Sequence, residues 1–258
     1  MKNSLIITTF ILSFCISSII ANDSYAAGSD TESPKQVKWS FEGIAGKFNI
    51  PSIQRGLQVY REVCASCHGL KRIAYRNLKD IGFNNEEIKQ IASEASVLDG
   101  PNDEGEMFER SGLPSDRFVD PFLNDKAARS ANGGALPPDL SLMVKARVDG
   151  ANYIYSLLMG YGVAPADFHL AEGKYYNKYF PGNQIAMPPP IDLDSVEYSD
   201  GMPATKEQIT KDVVNFLHWA AEPEMEERKT LGAAVLIYMF IFTILFYIAK
   251  RRVWARVK

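Results

Sequence analysis

The sequence predicts a mostly α-helical exported domain with long loop insertions, followed by one C-terminal transmembrane helix. Three observations carry this. Leu231 to Ala249 is an apolar run without a charged residue. Several stretches of the middle place apolar residues at helical spacing behind good N-cap residues. The first 26 residues have the layout of an export signal.

The two ends set the topology. Lys2 gives a short positive n-region, Leu5 to Ile20 an apolar h-region, and Ser24-Tyr25-Ala26 a small-X-small cleavage pattern. Residues 1–26 are therefore expected to be a signal peptide, with an N-terminal membrane anchor as the alternative. At the other end, residues 231–249 make a helix about 28 Å long, close to the thickness of a bilayer's hydrocarbon core. Lys250, Arg251, Arg252, Arg256 and Lys258 follow it. Cations there place residues 250–258 in the cytoplasm and residues 27–230 outside it. Trp254 suits the interface. The expectation is a single-pass membrane protein, in contact with the lipid bilayer.

The formal charge is −3, and the five cations after Ala249 leave −8 for the rest. An acidic exported domain disfavours nucleic acid and favours a basic partner. From Glu94 to Asp125 acids are dense, with only Arg110 and Arg117 against them. Pro101, Gly105, Gly112, Pro114 and Pro121 make this a long loop rather than a helix. It is either a solvated face or a docking face.

The helices are read in order. Ile53 to Val63 has helical spacing with Ser52 as N-cap; Gly56, Tyr60 and Cys64 share one face, and Gly56 permits a close helix neighbour. Residues 84–97 form a helix capped by Asn84 or Asn85, with Glu86 and Glu87 in its first turn. A short helix covers Ala127 to Ser130. Asp139 caps a helix from Leu140 to Val148, and another runs from Asn152 to Met159. Residues 160–199 lack periodicity and are rich in proline. Thr205, with Gln208 three residues on, opens a helix to Ala221 by a capping box. Ile209, Val213, Phe216, Leu217 and Ala220 share its buried face. Glu224 to Lys229 connects it to the span.

The chemistry sits at Cys64-Ala65-Ser66-Cys67-His68, the Cys-X-X-Cys-His spacing of a c-type haem attachment site. Each thiol can form a thioether to one haem vinyl group, and the adjacent imidazole can ligate the iron. Signal cleavage removes Cys15, so these are the only thiols of the mature chain. A small disulfide is the alternative; zinc would want further ligands. The other face of the iron needs a second ligand or stays open. Met187 is the best candidate: Pro188-Pro189-Pro190 stiffen its backbone, and Ile185, Ala186 and Ile191 keep it dry. Met202, in a polar turn, is the rival. Met143 and Met159 suit core packing. His169 lies in an unpatterned stretch, and His218 reads as a satisfied helix residue. His/Met ligation leaves no site for oxygen and raises the reduction potential. That favours a one-electron carrier over a haem peroxidase-like enzyme, the alternative from another class.

Longer motifs sharpen the reading. Trp39 to Gly43, Arg55 to His68, the acidic Gly100-Pro101-Asn102-Asp103-Glu104-Gly105, Asn132 to Ser141 (NGGALPPDLS), Tyr179-Phe180-Pro181-Gly182 leading to Met187, and Ala221-Glu222-Pro223-Glu224 resemble the cytochrome c1 family in its alpha-proteobacterial form. The resemblance covers nearly all of the mature chain. It implies a cytochrome c-like haem core, with residues 70–130 and 160–200 as elaborations. It implies one covalent haem c on Cys64 and Cys67, with His68 and Met187 as axial ligands. By the same resemblance Arg147 pairs with a haem propionate, and Asn132, Pro137, Pro138 and Tyr153 line the haem pocket. A carbonyl near Pro137-Pro138 is then placed to accept the His68 Nδ1–H. The implied partners are cytochrome b, a Rieske iron–sulfur protein and a cytochrome c acceptor, in a dimeric cytochrome bc1 complex (ubiquinol–cytochrome c oxidoreductase). The chain would be no enzyme on its own. A membrane-anchored cytochrome c feeding a terminal oxidase is the alternative within electron transfer.

Overall fold

A computed structural model describes residues 31–192 and 195–256. The expected signal peptide lies outside them. Among the described residues the order is α1 (Ile50–Val59), a 3-10 turn (Tyr75–Ile81), α2 (Asn85–Ser93), β1 (Ser96–Asp99), β2 (Phe108–Ser111), α3 (Asp125–Ala131), α4 (Gly150–Met159), β3 (Tyr175–Tyr176), β4 (Gln184–Ile185), α5 (Lys206–Ala221) and α6 (Met225–Trp254). The fold is mostly α, as expected.

The core is the packing of α1 on α5. Ile53, Leu57, Val59 and Tyr60 meet Ile209, Val213, Phe216 and Leu217, all buried. Gly56 is required at the crossing. A Cβ there would collide with the Asp212 carbonyl oxygen and lie 2.6 Å from Phe216 Cβ. A buried polar pin locks the pair. Asp212 has no exposed side-chain surface, and Arg55 reaches both its oxygens, Nε at 2.8 Å and Nη2 at 3.1 Å. Ser52 Oγ and Gln208 Nε2 complete its acceptor sites at 2.6 and 3.0 Å. So many donors are what make a buried carboxylate tolerable.

Four local readings need correction. Asn49, not Ser52, caps α1: its side chain accepts from Ser52 N, and Pro51 fits the first turn, where no N–H is missed. Ser52 is spent on Asp212 instead. The Thr205 cap on Gln208 N forms, but the Gln208 side chain goes to Asp212 rather than back to the cap. α2 takes Asn84 as cap with Glu87 completing the box, and stops at Ser93. The residues after it enter a β-hairpin, β1–β2, paired antiparallel from Ser96↔Ser111 to Asp99↔Phe108. Thus the acidic loop is partly a ribbon, tied by Arg110 to Asp99 and to Asp116.

The fourth concerns 140–148, which is a string of turns and not a helix. Asp139 does cap, but one carboxylate oxygen accepts Ser141 N (3.0 Å) and the other Lys71 N (2.8 Å), while Leu140 N donates to Gly69 O (2.9 Å). Those ties to the loop after His68 outbid a regular ladder.

α6 is continuous over 30 residues, about 45 Å, and is long and apolar enough to cross a membrane. Its large apolar side chains face outward, Leu236 at 72 % and Phe240 at 67 % exposure. Lys250 Nζ lies 5.2 Å from the Trp254 ring centre. The segment before α1 straps the junction of α5 and α6: Lys229 Nζ donates to Phe41 O (2.7 Å) and Gly46 O (3.1 Å), and Phe48 N donates to Glu226 Oε1 (2.7 Å).

Candidate haem site

The nine expected site residues fall into three groups. The first is built at the C-terminal end of α1, which widens into one π-helical turn over Tyr60–Cys64. Such turns interrupt helices at functional positions. Ala65 N closes the wide ring on Tyr60 O at 2.8 Å, and Cys67 N and His68 N both donate to Cys64 O, at 3.1 and 2.9 Å. Both thiols are free and partly buried. Burial, then the nearby Cys67, pushes the Cys64 thiol up to about 12.

His68 is held from two sides. The Tyr60 hydroxyl donates to its carbonyl at 3.1 Å. Its ring Nδ1–H donates to Pro138 O at 2.7 Å, which leaves Nε2 as the lone-pair nitrogen of the neutral ring. Burial lowers the imidazole pKa, opposed by that bond and by the Asp139 carboxylate. Pro138 is in turn fixed by the Asp139 ties described above, and Arg72 N on Ser141 Oγ adds another. The shelf Pro137-Pro138-Asp139 is thus sewn to the loop that carries His68. Asn132 starts the same shelf from the end of α3, its Nδ2 turned back onto Ala128 O (2.8 Å).

The second group is Arg147 with Tyr153. Arg147 is exposed, with Nη1 on Ala146 O at 3.1 Å. Tyr153 projects from α4; burial raises its phenol, partly offset by Arg147.

The third is Met187, half-buried on an irregular strap that follows β4. Its carbonyl accepts from the Tyr161 hydroxyl at 3.1 Å. The competing sulfurs and imidazoles have other settings. Met159 Sδ accepts from the Thr210 hydroxyl (3.5 Å), and Met143 packs against the core. Met202 is exposed in a turn where its N–H donates to Asp200, itself bonded to Arg55. His169 is exposed. His218 is not the satisfied residue expected: it stacks on Phe41 with centroids 3.6 Å apart, and its Nδ1 is buried without a partner.

The residues present fit a c-type haem. Two reduced thiols three apart, beside an imidazole whose Nδ1 is already engaged, make the donor set such attachment needs. Sequence reasoning missed Tyr60 and Tyr161, which aim hydroxyls at the backbone of His68 and Met187. It also missed Asn177, a fully buried amide that organises the strap. No local pattern marks these; each pairs across eight or more residues with a carbonyl.

Comparison with known proteins agrees. Residues 39–257 match the model of the Cytochrome C1 family. The chain is similar to cytochrome c1 of Rhodospirillum rubrum, 49% identical over 236 residues, covering 85% of this chain and 87% of that protein. It is 55% identical over 201 residues to the mitochondrial cytochrome c1 1 heme protein of Arabidopsis thaliana, 78% of this chain and 65% of that one. The mitochondrial cytochrome c1 heme protein of Saccharomyces cerevisiae is 48% identical over 221 residues, 85% and 72% of the two chains. A family match over residues 39–257, with relatives about half identical over most of the chain, leaves one conclusion: the chain belongs to the cytochrome c1 family.

Proposed function

We propose that this chain is the haem-carrying subunit of a ubiquinol–cytochrome c oxidoreductase complex, relaying single electrons from a Rieske iron–sulfur protein to a cytochrome c. The observation that carries it is the His68 Nδ1–Pro138 O bond beside two free thiols. Cys64 and Cys67 would hold one haem c by thioethers, with His68 Nε2 and Met187 Sδ as the ligands to its iron. Such a group supplies a one-electron Fe(III)/Fe(II) couple, which a thioether ligand shifts to higher potential.

The chain's own residues do the rest. The Pro138 carbonyl fixes the tautomer and orientation of His68 and raises its basicity. Arg147 supplies a positive charge for a propionate, with Tyr153 beside it, and Asn132 and Pro137 shape the pocket wall. With both His68 and Met187 bound, the iron would have no position left for oxygen or peroxide. Residues 1–26 direct export and are removed, 27–230 lie in the periplasm, 231–249 span the inner membrane, and 250–258 stay in the cytoplasm. The hairpin acids Asp103, Glu104, Glu106 and Glu109, all exposed, attract a basic acceptor.

Purification in mild detergent tests this. The expected result is co-isolation with a cytochrome b and an iron–sulfur protein, and a ferrous form that takes up almost no carbon monoxide. Isolation with a terminal oxidase instead, or ready carbon monoxide binding, would overturn it.

A further inference from the structure

The strap that carries Met187 has an unusual shortage of handles. Pro188, Pro189 and Pro190 have no N–H, so this stretch can be held by backbone hydrogen bonds only as an acceptor. The acceptor in use is the Met187 carbonyl, and its donor is Tyr161.

Tyr161 is itself fixed. It forms an antiparallel bridge with Asn177. Asn177 is wholly buried; its Nδ2 donates to Leu157 O at 2.7 Å, its Oδ1 accepts from Tyr179 N at 3.1 Å, and its backbone N–H donates to Asn183 O at 3.0 Å. Lys178 N closes on Gly160 O. Gly160 has to be glycine, because a Cβ would stand 2.5 Å from Tyr179 Cδ2 and 2.8 Å from Asn177 Oδ1. This knot joins the end of α4 to the β3–β4 hairpin that feeds the strap. Tyr161 also lines a cavity of about 510 Å³, together with Pro189, Ile191 and Lys206. Open volume therefore lies beside the strap.

We propose that Tyr161 is a positioning residue for the Met187 ligand: its hydroxyl braces the strap against displacement toward that cavity and so holds the thioether on the iron. This rests on the reading of Met187 as axial ligand. A ligand has to be held to about half an ångström to keep a fixed geometry, and one hydrogen bond on the same residue is the direct means.

The test uses full-length protein in its complex, carrying Tyr161→Phe, Gly160→Ala or Met187→Leu. Haem attachment, the Met–iron charge-transfer band of the oxidised form, the reduction potential, carbon monoxide binding by the ferrous form and the melting temperature are read for each. Tyr161→Phe is expected to keep its covalent haem and melt within about 4 °C of wild type. Its charge-transfer band should weaken on warming well before unfolding. Carbon monoxide binding should rise about five- to tenfold, as expected for the loss of one hydrogen bond, and the potential should fall. Gly160→Ala pushes on Asn177 and Tyr179 while sparing the hydroxyl; it should move the same readouts by less. Met187→Leu abolishes the band in the protein as proposed. If it does so while Tyr161→Phe and Gly160→Ala keep the wild-type band, potential and carbon monoxide binding, the brace is refuted and the ligand assignment stands. If Met187→Leu retains the band, the ligand assignment itself is wrong, and the brace goes with it.

Discussion

The two sides of the candidate haem site are built on opposite principles. His68 and the cysteines hang from α1, whose buried residues Ile53, Leu57 and Val59 each contribute roughly 1.5–3 kcal/mol by burial against α5 and its neighbours. Met187 hangs on a strap between two-residue strands and a proline run, fixed by a few named hydrogen bonds. The difference teaches where change is tolerated. Moving His68 means moving the core, whereas moving Met187 means breaking one or two bonds worth about 1 kcal/mol each. In the proposed reading, attachment falls to the stiff side, and the thioether that would set potential and access falls to the adjustable one.

The largest effect on the rooted side comes from the thiols. Cys64→Ala combined with Cys67→Ala should remove all haem that survives acid extraction, because the proposed covalent bonds are made there alone. Attached haem in the double variant would break the assignment of attachment to this side.

Next in size is the pin beneath it. Asp212→Ala leaves Arg55, with 11% of its side chain exposed, facing a carboxylate that is no longer there. Stripping one partner from a buried ion pair costs about 3–5 kcal/mol. Asp200 at 2.7 Å is the remaining partner and is itself 44% exposed, so it offsets only part of this. Denaturant unfolding of the detergent-solubilised protein measures it. A cost below about 1 kcal/mol would mean that the rooted side is no stiffer than the strap.

The same contrast governs what could be read in the chain. α5 was legible because its stripe and its Thr205 cap are local signals, and α6 because its apolar run is long. The close approach at Gly56 followed from one face shared with Tyr60 and Cys64. What escaped reading depended on distant partners. Ser52 looks like a cap until Asp212 arrives from 160 residues away. Leu140 to Val148 has helical composition, yet the loop after His68 takes its first backbone donor and one oxygen of its cap. The β1–β2 ribbon hides in an acidic stretch because its cross-strand side-chain ties are polar, Arg110 to Asp99 and Ser96 to Glu109, and not an apolar alternation. For the site, the Cys-X-X-Cys-His spacing is local and therefore visible. Tyr161 and Asn177 bind carbonyls, which every residue has, so nothing in the sequence points to them.

The rooted side also contains its own weak joint, at His218. Its ring stacks on Phe41, whose carbonyl is held by Lys229, and its buried Nδ1 lacks a partner. Burial pulls its pKa down to about 4; Glu222 opposes this, while Lys229, Lys145 and Arg228 add to it. The unfolded chain returns the imidazole to about 6.5. Between those values the unfolded state binds the proton and the folded state does not, so stability falls as pH drops from about 6.5 to about 4 and is flat, from this group, outside that window. The loss should be roughly 2 kcal/mol after allowing for partial solvent contact. His218→Phe keeps an aromatic stack on Phe41 and removes the titration. Melting wild type and variant at pH 7 and pH 5 measures the difference: the wild type should lose more stability than the variant on acidification. Equal losses would show that the joint between the N-terminal segment and α5 is insensitive to His218, and would leave the strap as the one soft element beside the haem site.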